Sequence, residues 1–403
     1  MNRILLFLIP FFFECITSYF ALSIPYLAMD LGGNQAQIGI ISTIFIIAQL
    51  PIFFIIGKLV NKFGKYPMIY FGAIVITLFI VFTGYSPKLG ILTVLASLGF
   101  LGHGIFYPSL QALMGDYSNA ENRPRNVGIY NMGWCFGSAF VGISRSYIVE
   151  YFGNIHSLLY AGCICGVICI ILVTVNYFMH KNKAKVVASE DEAEEPVPLN
   201  NNVYLLIGRL GLFIGFVSHG AYNYILPKLL REKGWADPVI LQATGMFLVG
   251  QAIGVILCAF WKFWKERIYP QVLANLVFLI SAVIVILLIQ TDIIDDMIKN
   301  PYIMLCGLFL VCGFAMAVCY TMALFHAVSS DKKERPKNTG FHEGVVAGGE
   351  VVACIVGSIG GKLFDITYVA PLKNLCFYFI ICWVILNLIL YGYLKSTKLK
   401  LEH

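Results

Sequence analysis

The chain has 403 residues, of which 59% are hydrophobic and 12% charged, with a net charge of +6. A soluble domain carries about twice that charged fraction, and the polar residues here lie between apolar runs of roughly 18 to 25 residues, each long enough to span a bilayer. This excludes a soluble enzyme or nucleic-acid-binding domain and predicts an integral, all-α membrane protein.

Helix 1 is expected over Ile4–Ala28 and helix 2 over Ala36–Leu59, followed by a basic loop, Lys58 to Lys65. Helices 3 and 4 take Pro67–Tyr85 and Leu89–Met114, joined by a short turn at Ser86-Pro87, and helices 5 and 6 take Asn126–Ile148 and Ile155–Phe178. Residues 179–203 break the pattern. Three lysines lead into Ser189-Glu190-Asp191-Glu192-Ala193-Glu194-Glu195-Pro196, which cannot bury apolar area and reads as a disordered tether or a regulatory segment. Helices 7 to 12 follow at Val203–Leu229, Val239–Phe260, Pro270–Ile289, Tyr302–Val328, Thr339–Leu363 and Leu372–Leu394. The domains expected are thus a bundle over 1–178, a linker over 179–203 and a second bundle over 204–400, with 401–403 resembling a purification-tag remnant. With both termini inside, the 28 Lys and Arg divide as 20 cytoplasmic against 8 outside, the bias that sets membrane orientation. A bacterial cytoplasmic (inner) membrane is the expected location.

The two halves are related. Arg123-Pro124-Arg125-Asn126-Val127-Gly128 returns as Arg335-Pro336-Lys337-Asn338-Thr339-Gly340, offset by 212, with four of six residues identical. Each copy is expected to be a short basic loop between helices. At offset 202, Pro25 pairs with Pro227, Gly32 with Gly234, Phe45 with Phe247 and Gln49 with Gln251. Such internal symmetry is characteristic of secondary transporters.

Six plus six helices around a central loop resemble the major facilitator superfamily over the full chain. The most specific match is Gly57-Lys58-Leu59-Val60-Asn61-Lys62-Phe63-Gly64-Lys65, similar to the loop 2–3 motif Gly-x-Leu-x-Asp-Arg-x-Gly-Arg of that family. The resemblance implies a gating role for Gly57, Asn61, Lys62, Gly64 and Lys65. In the family the acidic residue braces the N-terminus of helix 11; Asn61 lacks that charge, which implies a weaker lock. Helix 5 carries Gly133-x-x-x-Gly137-Ser138-x-x-Val141-Gly142, resembling the antiporter motif without its proline. Helix 4 keeps Gly102-x-Gly104 but has Leu98 and Leu101 where drug/proton antiporters place Arg and Gln.

Polar residues inside apolar helices are costly and mark function. Glu14 stands about 15 Å into helix 1, on one face with Thr17, Ser18, Ala21 and Pro25. The offset of 202 maps that stripe onto Phe216, His219, Gly220, Asn223 and Pro227 on helix 7. The resemblance makes helices 1, 4, 7 and 10 cavity-lining. The expected substrate residues are therefore Glu14, Thr17, His103, Phe106, Tyr107, Asn131, Trp134, His219, Asn223 and Tyr224; interhelical hydrogen bonding is the alternative for the polar ones. Glu350, Glu14 and Glu343 are the expected proton-coupling groups. Glu343 and His342 are placed near the surface, within reach of water, and Glu350 deeper. Gln49 and Gln251 are expected to bond between the bundles, and Asp116 and Arg125 to form a gating ion pair with Lys62 or Lys65. The twelve cysteines fall in or beside apolar runs without zinc-like neighbours, so neither a metal nor a cofactor is expected. The function expected is secondary transport of a small amphipathic organic solute, coupled to protons or another cation, by a monomer in contact with membrane lipid. A uniporter, a lipid or lysolipid transporter and a non-transporting receptor are the competing readings.

Overall fold

The computed structural model describes residues 2–33, 35–187, 201–220, 230, 235, 237–265, 267, 269–290, 301–363 and 392. Among them are eleven helices: α1 (Arg3–Asp30), α2 (Gln35–Phe63), α3 (Lys65–Gly84), α4 (Leu89–Asp116), α5 (Arg123–Phe152), α6 (His156–Val187), α7 (Asn201–Gly220), α8 (Asp237–Phe260), α9 (Tyr269–Gln290), α10 (Pro301–Val328) and α11 (Arg335–Leu363). Eight are long and apolar enough to cross a membrane. The expected helix 12, the far end of helix 7, the acidic stretch 189–195 and the loop 291–300 lie outside the described residues.

The repeated Arg-Pro segments are not loops. Each forms the first turn of a helix, so α5 begins at Arg123 and α11 at Arg335 rather than at Asn126 and Thr339. Proline suits that position, because the N–H it lacks would have no intrahelical acceptor there. At the other end α5 stops at Gly153, whose φ of 68° is the left-handed conformation glycine adopts freely. Helix α6 also runs on to Val187, into the stretch read as linker, since its Lys and Ala residues are good helix formers.

Within the first six helices, α3 packs along α4, and α1 along α5 and α6. Glycine sets these approaches. A Cβ on Gly72 would fall 2.7 Å from the Gly102 carbonyl oxygen, and one on Gly102 would fall 2.6 Å from that of Gly72. The Gly133-x-x-x-Gly137 pair does the same between α5 and α1. A Cβ on Gly133 would meet Pro10 Cγ at 2.7 Å, and one on Gly137 the Phe11 carbonyl at 2.5 Å.

Compactness divides the chain into two units that do not follow the linker alone. The first is Met1–Asn202 with Val255–Lys265 and Leu324–Gly348; the second is Val203–Gly254, Glu266–Ala323 and Gly349–His403. The first unit thus includes the end of α8, the end of α10 and the start of α11. The motif glycines make those contacts, and they do so symmetrically. A Cβ on Gly128 of α5 would lie 2.5 Å from Ala259 Cα at the end of α8, and one on Gly340 of α11 would lie 2.6 Å from the Phe53 carbonyl and against Ile56 on α2. Ala259 is the offset-202 counterpart of Gly57.

Candidate functional site

The first unit holds a polar cluster deep in its apolar helices. The Glu14 carboxylate accepts hydroxyls from Tyr107 (2.6 Å), Ser18 (3.0 Å) and Thr17 (3.2 Å). The three donors arise from two helices: Thr17 and Ser18 lie one turn on from Glu14 in α1, and Tyr107 comes from α4. The ring of Tyr107 stands edge-on to His103, 4.9 Å between centroids. His103 Nδ1 is 2.7 Å from Gln49 Oε1 on α2. The structure therefore brings Glu14, Thr17, His103 and Tyr107 together. Gln49 joins them as the partner of His103, so the expected inter-bundle role for Gln49 is replaced by a bond inside the first unit. The reason is register: α2 and α4 pack side by side, at the level where both polar groups fall.

Phe106 is fully buried and stacked on Phe13 at 3.5 Å with parallel rings, a packing position behind this cluster. Asn131 is also fully buried and accepts the Trp134 indole N–H at 3.2 Å. In the second unit, His219 on α7 and Glu350 on α11 approach to 3.6 Å (Nδ1 to Oε1). Close helix contact explains this pairing: Cβ atoms added to Gly349 and Gly220 would meet Phe216 Cβ at 2.7 Å and Glu350 Cα at 3.7 Å. The rings of Phe216 and Phe247 flank the imidazole at 5.7 and 5.1 Å. Asn223 and Tyr224 lie outside the described residues.

A second group of residues ties one end of the first unit together. Asp116, at the end of α4, pairs with Lys65 and, at 2.5 Å, with Arg335. Lys65 is as expected, whereas Arg125 is not a partner. Its guanidinium lies 5.9 Å from the Phe260 ring, and Lys62 lies over the neighbouring Phe63 ring. Position decides this, because Arg125 is on the exposed side of the first turn of α5 while the repeat-related arginines point inward. Arg123 donates to the Ser118 carbonyl (2.9 Å) and Arg335 to the Ser330 carbonyl (3.3 Å). Ser118 and Ser330 are themselves 212 apart. Each arginine thus caps the end of the preceding helix, and Arg335 also meets Asp116. Val328 stands in the second half where the first has Asp116.

Asn61 does reach the approach to α11, but with the opposite polarity from the family's acid: its amide donates to the Lys333 carbonyl at 3.1 Å. A Cβ on Gly57 would lie 2.8 Å from Lys337 Cα, and Gly64, with φ of 91°, turns the chain from α2 into α3. Glu343 and His342 are not at a wet surface, being 4% and 0% exposed. Gln111 of α4 donates to the Glu343 carboxylate, and to the Tyr130 hydroxyl at 3.0 Å. Thr339, a turn earlier in α11, donates to the Pro108 carbonyl at 3.0 Å, which seats α11 on α4 and removes Glu343 from water.

Sequence reasoning missed Gln111, Tyr130 and Arg335, and in the second unit the buried Gln271, whose amide donates to Cys319 Sγ at 3.1 Å, and Asn275 beside it on α9. Arg335 was recoverable from its serine five residues back, repeated in both halves. Gln111, one turn beyond Tyr107, was recoverable as a polar residue in an apolar helix.

Residues 6–330 match the description of the Major Facilitator Superfamily. The chain belongs to that superfamily. Among solved structures it is similar to the major facilitator superfamily proton:xylose symporter XylE bound to 6-bromo-6-deoxy-D-glucose, at 13% identity and a TM-score of 0.69, over 95% of this chain and 94% of that one. No curated protein matches it in sequence. It is a multi-pass membrane transporter with the major facilitator fold.

Proposed function

We propose that this transporter moves a small, amphipathic organic solute by alternating access and that protons drive it. The observation that carries the reading is the Glu14 cluster. An acid, an imidazole, an amide and three hydroxyls converge in the middle of apolar helices, at a cost that a purely structural bundle has no reason to bear. Its aromatic surround, with Tyr107 on one side and the stacked Phe13 and Phe106 behind, suits a solute with both polar and apolar faces. The fold shared with a proton:xylose symporter is consistent with proton-driven solute transport. The Asp116 latch is read as the gate, on the cytoplasmic side, because the lysine and arginine excess lies at that end.

Glu350 is the proposed proton carrier. Glu14 is held in place by hydroxyls of Thr17, Ser18 and Tyr107, which suits it to a fixed role in the solute site. Glu350 has the His219 imidazole at 3.6 Å, a pair within which one proton can be exchanged. Glu350→Gln keeps the shape of the protonated acid but cannot release a proton. In proteoliposomes it should retain solute exchange and lose accumulation driven by a pH gradient. Accumulation at the wild-type level in that variant passes the role to Glu14, and exchange without any pH response in the wild type points to a uniporter.

A further inference from the structure

The end of α8 forms a corner with the start of α5. Gly128 brings the two helices into contact at Ala259, and just beyond it Phe260 and Trp261 are 66% and 67% exposed. They end a candidate membrane span, Gln242–Phe260, so they stand at the level where aromatic rings meet lipid headgroups. Two bases are held on this edge. The Arg125 guanidinium lies 5.9 Å from the Phe260 ring, and Lys262 Nζ is 3.4 Å from the Glu121 carbonyl. Segments 117–128 and 258–265 carry four bases, Arg123, Arg125, Lys262 and Lys265, against one acid, Glu121.

The internal repeat supplies a control. The counterpart of Arg125 is Lys337, which is neutralised by Glu334 at 2.9 Å. The counterparts of Phe260 and Trp261 are Lys58 and Leu59. The repeat-related α2–α11 corner therefore lacks the two rings and has Lys337 already paired, so the combination distinguishes the α5–α8 corner from its own counterpart.

We propose that Arg125, Phe260, Trp261 and Lys262 form a docking site for the headgroup of an anionic phospholipid. Its phosphates would meet the two bases while the rings flank its glycerol and upper acyl region. A base near an anionic membrane surface contributes about fivefold to local lipid enrichment, so the pair is expected to contribute at least about tenfold.

Trp261 reports the lipid beside it, and Trp264, three residues on, is fully buried. The intact protein in phosphatidylcholine nanodiscs is titrated with brominated phosphatidylglycerol or, separately, brominated phosphatidylcholine, and tryptophan quenching is measured. The expected result is half-quenching at a mole fraction at least tenfold lower for the anionic lipid. That excess should vanish in Trp261→Phe and in Arg125→Gln with Lys262→Gln, and survive in Arg125→Lys with Lys262→Arg and in Lys337→Gln. Equal quenching by the two lipids in the wild type overturns the proposal. So does an excess that persists in the double glutamine variant, or one abolished equally by Lys337→Gln. If the double glutamine variant does not fold, the wild-type comparison and Lys337→Gln still decide the matter.

Discussion

Replacing Asp116 with alanine tests the latch most directly, because one carboxylate holds two cations from opposite ends of the sequence. The side chains of Lys65, Asp116 and Arg335 are 17%, 18% and 9% exposed. Fully exposed ion pairs contribute about 0–1 kcal/mol, and removing one partner of a buried pair costs about 3–5 kcal/mol. These exposures lie between the two limits, and Arg335 would be left facing Lys65, so about 2 kcal/mol is expected from the closed state. That is a shift of about 30-fold in the equilibrium between latched and open forms. Arg335 keeps its bond to the Ser330 carbonyl in this variant, so the helix end it caps stays formed and the effect is confined to the latch. Spin labels on cysteines introduced at the exposed positions Asn119 and Lys332 read the change as a longer, broader distance distribution by double electron–electron resonance. Asp116→Glu should restore most of the short-distance population. A distribution in Asp116→Ala that matches the wild type would falsify the assignment of Asp116 as a latch.

Gly102→Ala sets a Cβ 2.6 Å from the Gly72 carbonyl and 2.8 Å from Ile76 N, and overpacking of this kind costs about 1–3 kcal/mol. Its melting temperature in detergent should fall clearly, whereas Gly142→Ala, where a Cβ meets nothing within 4 Å, should melt as the wild type does. Asn61→Asp removes the amide that donates to the Lys333 carbonyl and places an acceptor against an acceptor. The same pair of spin labels should report a smaller latched population, by about 1 kcal/mol; a larger one would return the residue to the acidic role seen in the family motif.

Much of the fold was legible because hydropathy and helix punctuation are local properties. Long apolar runs had to become membrane helices, since a backbone in lipid must satisfy its own hydrogen bonds. The repeat pointed to two related halves, and Glu14, Thr17, His103 and Tyr107 stood out as polar groups in apolar stretches. Even the Arg-Pro segments carry a readable signal, since proline in a first helical turn is favoured. Pairing was not legible. Asp116 and Arg335 are 219 residues apart, and Gln111 and Glu343 are 232 apart. Nothing local states that α4 and α11 meet at those levels. Gln49 could have bonded in several directions, and only the packing of α2 on α4 selects His103. The polarity of the Asn61 bond depends likewise on whether a carbonyl or an N–H of the approach to α11 faces it. Hydropathy is summed along one helix, whereas a hydrogen bond depends on the crossing point and rotation of two, and tertiary packing alone decides those.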